Sequence, residues 1–311
     1  MSNLLIGNGL SISISKKFSY TSLRERVSGG LSPAVERLFK QFDTDDFEHL
    51  LTKIKDARDV IEAITDGQVI VSQSISDEIK SKLIEAIGGM NPRGPRDDGL
   101  DPQALNSALK KYSNVFTTNY DIYLYWGRKG KDGFNINDFF FKGDFDLNRA
   151  DPNNGDSIFF LHGALFVFDE GNKVVKIGKG EFITLDDAIK DRIVNKNSLP
   201  LFISEGSSQE KLSSIKKNEY LSFCYQNLRG MSGDLDIYGH GLSPDVDGHI
   251  VDAIKASKID DITYYQYNLD QMNTGEVAHL QATLNTRLGR IIKLVDSSKH
   301  ELSNWSIWGT S

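Results

Sequence analysis

The chain has 311 residues, 43 acidic against 36 basic, a net charge of −7 and one cysteine. With 39% hydrophobic and 25% charged residues it has the balance of a globular protein, long enough for one large domain or two ordinary ones. An acidic balance without a lysine and arginine block argues against a nucleic-acid binder, and a lone cysteine excludes an internal disulfide framework or a cysteine-rich zinc ribbon.

The longest nearly apolar run, IFFLHGALFVF, is too short to span a bilayer. The N-terminus enters strand-like sequence with no signal-peptide pattern, so the expectation is a cytoplasmic protein that engages no membrane. The first predicted strand, LLI, runs straight into Gly7-Asn8-Gly9-Leu10-Ser11. Two glycines one residue apart after a strand suggest a dinucleotide loop, although Ile12 stands where the full fingerprint wants a third glycine. A tight turn or a different nucleotide loop remains open at this point.

Helical spacing of Phe47, Leu50, Leu51, Ile54, Ala57, Ile61 and Ile64 predicts a long helix after Thr44 or Asp45. A second helix, SDEIKSKLIEAIGG, is expected to stop at its paired glycines. A proline- and glycine-rich connection, NPRGPRDDGLDP, and a short helix, QALNSALKKYS, lead to the strand NVFTTNYD. Residues 122–157 read as turns with one or two short strands. SIFFLHGALFVF reads as one apolar strand and DEGNK as a hairpin turn. Beyond it, LDDAIKDRIVNKN and SSQEKLSSIKKNEYLSFCYQNL read as helices flanking a short strand, SLPLFISEG. The strand LDIYGHGL, the helix DGHIVDAIKAS, the strand ITYYQYN and the helix EVAHLQATLNTRLG complete the pattern.

Strands alternating with helices predict an α/β fold, a Rossmann-like parallel sheet with helices on both faces. The whole chain reads as one domain. It carries an inserted helical lobe over about 33–112 and a second, irregular insertion over about 122–157. That lobe is one candidate for an oligomer contact or sensor surface. Cys224 lies in an apolar run and reads as a small buried hydrophobe.

Four segments end an apolar strand with small or polar residues: Ile6-Gly7-Asn8-Gly9, Phe116-Thr117-Thr118-Asn119-Tyr120-Asp121, Leu161-His162-Gly163 and Tyr238-Gly239-His240-Gly241. In open parallel sheets ligands bind outside the carboxyl ends of the strands, so the four ends are expected to share one cleft. His162 is a natural base near neutral pH, and Asn119 can hold a water by donating and accepting at once. Gly163 is expected to let a ligand approach closely. Asp121 either orients Asn119 or caps the next segment. The aromatics Tyr123, Tyr125 and Trp126 read as core rather than as a pocket lining. His240 and His249, with Asp245 and Asp247 between them, are metal-ligand types, but their place in a phosphate-type loop and at a helix start leaves no metal expected. Asp245 or Asp247 reads as a helix N-cap.

The order GNGLS, TTNYD, LHG, GHGLS resembles the sirtuin superfamily, and within it the bacterial sirtuin-like domains that consume NAD in anti-phage defence. The resemblance covers the chain to about Asn268 and rests on these short motifs in order. It implies a sirtuin-like fold with NAD phosphates at Gly7, Asn8, Gly9 and Ser11. Thr118, Asn119 and Asp121 then lie by the nicotinamide ribose, with His162 as the base. Gly239, His240, Gly241 and Ser243 hold NAD from the other side, and Asn268 meets the adenosine ribose. The sirtuin deacylases carry four zinc cysteines and a proline-aspartate-phenylalanine-arginine segment. Neither occurs here, which favours NAD hydrolysis over deacylation. The implied protein is an NAD glycohydrolase, an antiviral effector that forms a homo-oligomer and answers to a defence partner or a phage trigger. The alternatives are a non-catalytic NAD or ADP-ribose sensor and a zinc-less deacylase or ADP-ribosyltransferase.

Overall fold

The computed structural model describes residues 1–14, 20–66, 73–90, 94, 99–130, 135–178, 180, 184–195, 198, 200–203 and 207–304. Most of the connection expected over 91–102 lies outside them, as do 204–206 at the end of SLPLFISEG.

After β1 (Ser2–Ile6) the chain is helical through α1 (Gly9–Ile14), α2 (Tyr20–Val27), α3 (Pro33–Gln41), α4 (Phe47–Ile64), α5 (Ser74–Met90) and α6 (Pro102–Leu109). β2 (Asn114–Thr117), α7 (Tyr123–Gly127), β3 (Phe140–Phe141) and β4 (Asp144–Phe145) follow. Next come β5 (Ser157–Phe160), β6 (Gly163–Asp169), β7 (Val174–Lys176), α8 (Leu185–Asn195) and β8 (Pro200–Phe202). The last part holds α9 (Ser208–Lys217), α10 (Glu219–Gly230), β9 (Ser232–Tyr238), α11 (Pro244–Ala256), β10 (Lys258–Gln266), α12 (Thr274–Leu288) and β11 (Lys293–Asp296).

Six strands form a parallel sheet in the order β11-β10-β9-β1-β2-β5, flanked by helices. Leu4, Leu5 and Ile6 of β1 are fully buried, as a central parallel strand requires. The chain moves outward from β1 through β2 to β5, then returns to β9 on the other side of β1 and continues outward. The order therefore reverses between β1 and β9, the crevice where doubly wound sheets bind ligands. This is the Rossmann-like α/β arrangement. A second sheet, β3-β4-β7-β6-β8, is antiparallel throughout.

The differences from the sequence reading have local causes. IFFLHGALFVF is two strands, because Gly163 has φ +82° and turns the chain out of the parallel sheet into the antiparallel one. The long helix over 207–228 is broken at Asn218, whose extended backbone and side chain, accepting from Leu221 N, start α10 afresh. The paired glycines do not stop α5, which runs to Met90. α4 begins after Asp46, which accepts from His49 N, so the cap falls one residue beyond Asp45. α11 begins at Pro244, earlier than expected, with Ser243 as its N-cap residue, and it is kinked at Asp247, whose backbone is not helical and which heads the segment that the sequence reading had as the helix. α12 has the expected ends, a capping box of Asn273 with Glu276 and Gly289 at φ +69°. The irregular insertion over 122–157 holds α7 and the β3–β4 hairpin, and Tyr123 and Tyr125 are core. DEGNK turns the β6–β7 hairpin, with Glu170 N donating to Lys173 O.

The helical segment over 33–112 shares one core with the sheet. Val35, Phe47, Leu50 and Leu83 belong to the same buried cluster as Leu4, Phe116 and Phe159. Cys224 is buried in that cluster, and burial pushes its thiol pKa up, so it serves as a packed hydrophobe. Among the described residues no helix is long and apolar enough to cross a membrane.

Candidate functional site

Sheet register brings the four motifs to one level. Ile6 pairs with both Thr117 and Tyr238, and Thr117 pairs with Phe160. The ladder continues one step past the strands, with Thr118 N donating to Ile6 O and Leu161 N to Thr117 O. Gly7, Thr118, Leu161 and Gly239 thus follow the paired strand ends in line. Around them lies a cleft of about 200 Å3. Pockets for drug-sized ligands hold about 300–1,000 Å3, so the cleft is smaller than these.

Gly7, Asn8, Thr118, Asn119 and Asp121 line the cleft, with His162 after β5 on one side of them in the sheet order and Gly239, His240 and Gly241 after β9 on the other. Gly9, Ser11, Ser243 and Asn268 are not among its lining residues. Ser243 caps α11, and Asn268 sits at φ +53° before a short 3-10 turn. The sequence reading did not select Leu23, Phe47, Leu83, Tyr120, Lys211 and Asp247, which also line it. The first three come from α2, α4 and α5, so helices between β1 and β2 cover the cleft. Their apolar periodicity is indistinguishable in sequence from ordinary core patterning.

The glycines answer to one another. A Cβ on Gly7 would stand 2.5 Å from Gly239 O, and one on Gly9 2.6 Å from Gly239 Cα. Gly9 N donates to Gly239 O at 2.9 Å. The two loops are therefore zipped together at the switch point, and the small residues permit that contact. Gly163 likewise makes room for protein, not for a ligand, because a Cβ there would overlap Leu201 O of β8.

One wall of the cleft is a buried chain. Ser11 Oγ donates to Asp121 Oδ2 at 2.5 Å, and Asn119 Nδ2 donates to Ser11 Oγ at 2.9 Å. Asp121 Oδ1 accepts from Tyr123 N at 2.9 Å, and Asn119 N donates to Thr117 Oγ1 at 3.0 Å. Burial pushes the Asp121 carboxyl pKa up, while the bonds from Ser11 and Tyr123 pull it down. The Ser11 hydroxyl donates to Asp121 and accepts from the Asn119 amide. Asn119 Oδ1 is left buried with no hydrogen-bond partner among the described residues. An unmet buried acceptor costs about 1–3 kcal/mol, so this atom is held ready for a donor from a ligand or water.

The other wall is a histidine pair. His162 Nε2 lies 2.9 Å from His249 Nε2, and the rings stack with centroids 5.1 Å apart. His249 N donates to Ser208 Oγ at 2.5 Å, and His249 Nδ1 lies 3.3 Å from the same oxygen. Burial, with the neighbouring His249 and Lys211, holds the His162 pKa well below its ordinary value. Burial lowers His249 to about 4 and depresses His240 as well. All three imidazoles are neutral at pH 7.

One oxygen of Asp247 and one ring nitrogen each of His162 and His249 lie within 4.8 Å of one another, a spacing that suits a divalent cation. Lys211 Nζ stands 3.8 Å from Asp247 Oδ1, where it supplies the positive charge itself. The two Nε2 atoms also stand at hydrogen-bond separation. Two nitrogens about 2.0–2.1 Å from a tetrahedral zinc would be more widely spaced. These observations favour an imidazole pair beside an ion pair. The pairing also departs from the sequence reading, which set His240 beside His249.

Fold and cleft define a Rossmann-like α/β protein with a polar site at its strand switch point. Residues 4–300 match the model of a family described as a domain of unknown function (DUF4917). The chain belongs to that family. No curated protein matches it.

Proposed function

We propose that the protein is an NAD glycohydrolase that cleaves the nicotinamide–ribose bond to give nicotinamide and ADP-ribose. The observation that carries this reading is Asn119 Oδ1, buried, unpartnered and held by the Asp121–Ser11 chain in the same cleft as a neutral His162. Bond cleavage develops oxocarbenium character at the ribose and needs groups that position a hydroxyl or water and take its proton. In this reading Asn119 Oδ1 accepts from the ribose hydroxyl or the water, and His162 takes the proton. The overall reaction consumes NAD and water and yields one proton. Lys211 and the loop amides near Gly7 and Gly241 are suited to the diphosphate. Leu23, Phe47 and Leu83 shield the developing cation from bulk water. Because the cleft is small for the whole dinucleotide, the nicotinamide riboside end enters it and the adenosine end lies outside. A sirtuin-like role in antiviral defence, with homo-oligomerisation and a triggering partner, is part of the same proposal and rests on the order of the motifs.

The test is nicotinamide release from NAD alone by the purified protein, beside His162→Ala and Asn119→Ala. Loss of one general base is expected to cost about 10²–10⁴-fold. Release that survives both substitutions would refute the site. Tight NAD binding without release would establish a sensor, and release that needs an acyl-lysine or acceptor substrate a transferase.

A further inference from the structure

We propose that His249, anchored by Ser208, is the positioning residue that fixes which nitrogen of His162 acts as the base. The inference rests on the hydrolase reading, but its core is a statement about tautomers that holds in the free protein.

The ring nitrogens of the two histidines leave few choices. His162 Nε2 faces His249 Nε2, so the nitrogen left for a ligand in the cleft is His162 Nδ1. A base needs a lone pair there, which places the proton of neutral His162 on Nε2. That proton is donated to His249 Nε2, so His249 carries its own proton on Nδ1. Its neighbour there is Ser208 Oγ, which has two acceptor lone pairs and one donor. It takes the backbone N–H of His249 and the Nδ1–H together. Its own hydrogen is then directed to the solvent-open cleft of about 890 Å3 that Ser208 lines with α11 and α12. Within the chain each contact then joins one donor to one acceptor. When His162 Nδ1 takes the proton released at the ribose, the imidazolium donates through Nε2 to a neutral imidazole, a charge-assisted bond. No other atom changes its bonds, and the proton count balances the one that water releases.

The other groups facing the pair suit this role. Asp247 of α11 lies close enough to stabilise the imidazolium, and Lys211 of α9 disfavours a second positive charge, keeping His249 neutral. His240 stands beyond Asp247, with 4.0 Å between Nε2 and Oδ2, and Tyr225 of α10 donates to His249 O. The pairing could not be read from the sequence, because 87 residues separate the two histidines.

The test uses the full chain with His249→Phe, which removes the acceptor, and His249→Gln, whose side-chain oxygen restores it. Nitrogen-15 spectra of labelled histidines should show His162 protonated on Nε2 and His249 on Nδ1. In His249→Phe the His162 tautomers should become mixed, and in His249→Gln the Nε2–H form should return. For NAD cleavage, His249→Phe should lower kcat about 10–100-fold with little change in KM and shift the acid limb of the pH profile. His249→Gln should recover most of kcat. Finding His162 protonated on Nδ1 in the wild type would overturn the proposal. So would His249→Phe with wild-type kcat and pH profile, or stoichiometric Co2+ binding with a ligand-field spectrum lost in His249→Phe. A wild type that releases no nicotinamide but shows the expected tautomers would refute the hydrolase and leave the His249 lock standing.

Discussion

On one wall of the cleft, Asp121, Ser11 and Asn119 form a chain whose hydrogens have a single arrangement, because a carboxylate only accepts. On the other wall, His162, His249 and Ser208 can each donate and accept, so the distances alone admit two proton arrangements, and the one proposed above is selected by the base that the reaction needs. The first wall is suited to holding a substrate in place, and the second to receiving a proton. A buried polar network gains rigidity from an acceptor-only end. It gains proton mobility when every member can play both parts.

The largest expected effect comes from removing the support of the histidine wall. Gly163→Ala puts a Cβ into Leu201 O at a backbone φ of +82°, and should cost about 3 kcal/mol or more. Denaturant titration should register this as a lower midpoint, and wild-type stability would remove Gly163 as the anchor of that wall. Ser11→Ala attacks the other wall. It leaves Asp121 buried without its hydroxyl donor and Asn119 free to rotate. Stability should fall by about 1–3 kcal/mol and nicotinamide release by about 10–100-fold, with KM little changed. A KM effect alone would mean that Ser11 binds substrate directly.

A third effect, gradual in pH, separates the walls. Near pH 7 His249 is neutral in both folded and unfolded chains. As pH falls below the unfolded value of 6.5, the unfolded chain binds a proton that the folded one refuses until about pH 4. Stability is therefore lost across that window, on the order of 3 kcal/mol by its lower end. Thermal melts from pH 7 to pH 5 should show the decline, and His249→Gln should make it shallower, with the buried His162, His240 and His300 supplying what remains. An unchanged slope would show that His249 is more accessible to protons than its burial implies. Ser11→Ala should leave that slope as it is, which tests whether the two walls titrate independently.

Much of the frame was legible because its signals are local. Apolar runs, helical spacing and polar strand ends each occupy a few consecutive residues, and they marked nearly every strand of the parallel sheet. β11 escaped because KLVD is too short to stand out. The antiparallel sheet was legible only in pieces, its short strands, the DEGNK hairpin and SLPLFISEG, because β3 and β4 are two residues each and β6 is fused in sequence to β5. Lys211 carried no signal, since a lysine on a helix reads as a solvated face, and Asp247 read only as a helix N-cap or a metal-ligand type.

The sequence by itself determined that four polar strand ends exist and follow one order, because the chemistry at the end of a strand is written in adjacent residues. Tertiary structure alone decided what each one does. Ser11 became a strut because register brought it to Asp121, 110 residues away. His162 gained His249 only through the packing of α11. The glycines of GNGLS proved to seat one loop on another. Such pairings arise from sheet order and register, which no short stretch of chain contains.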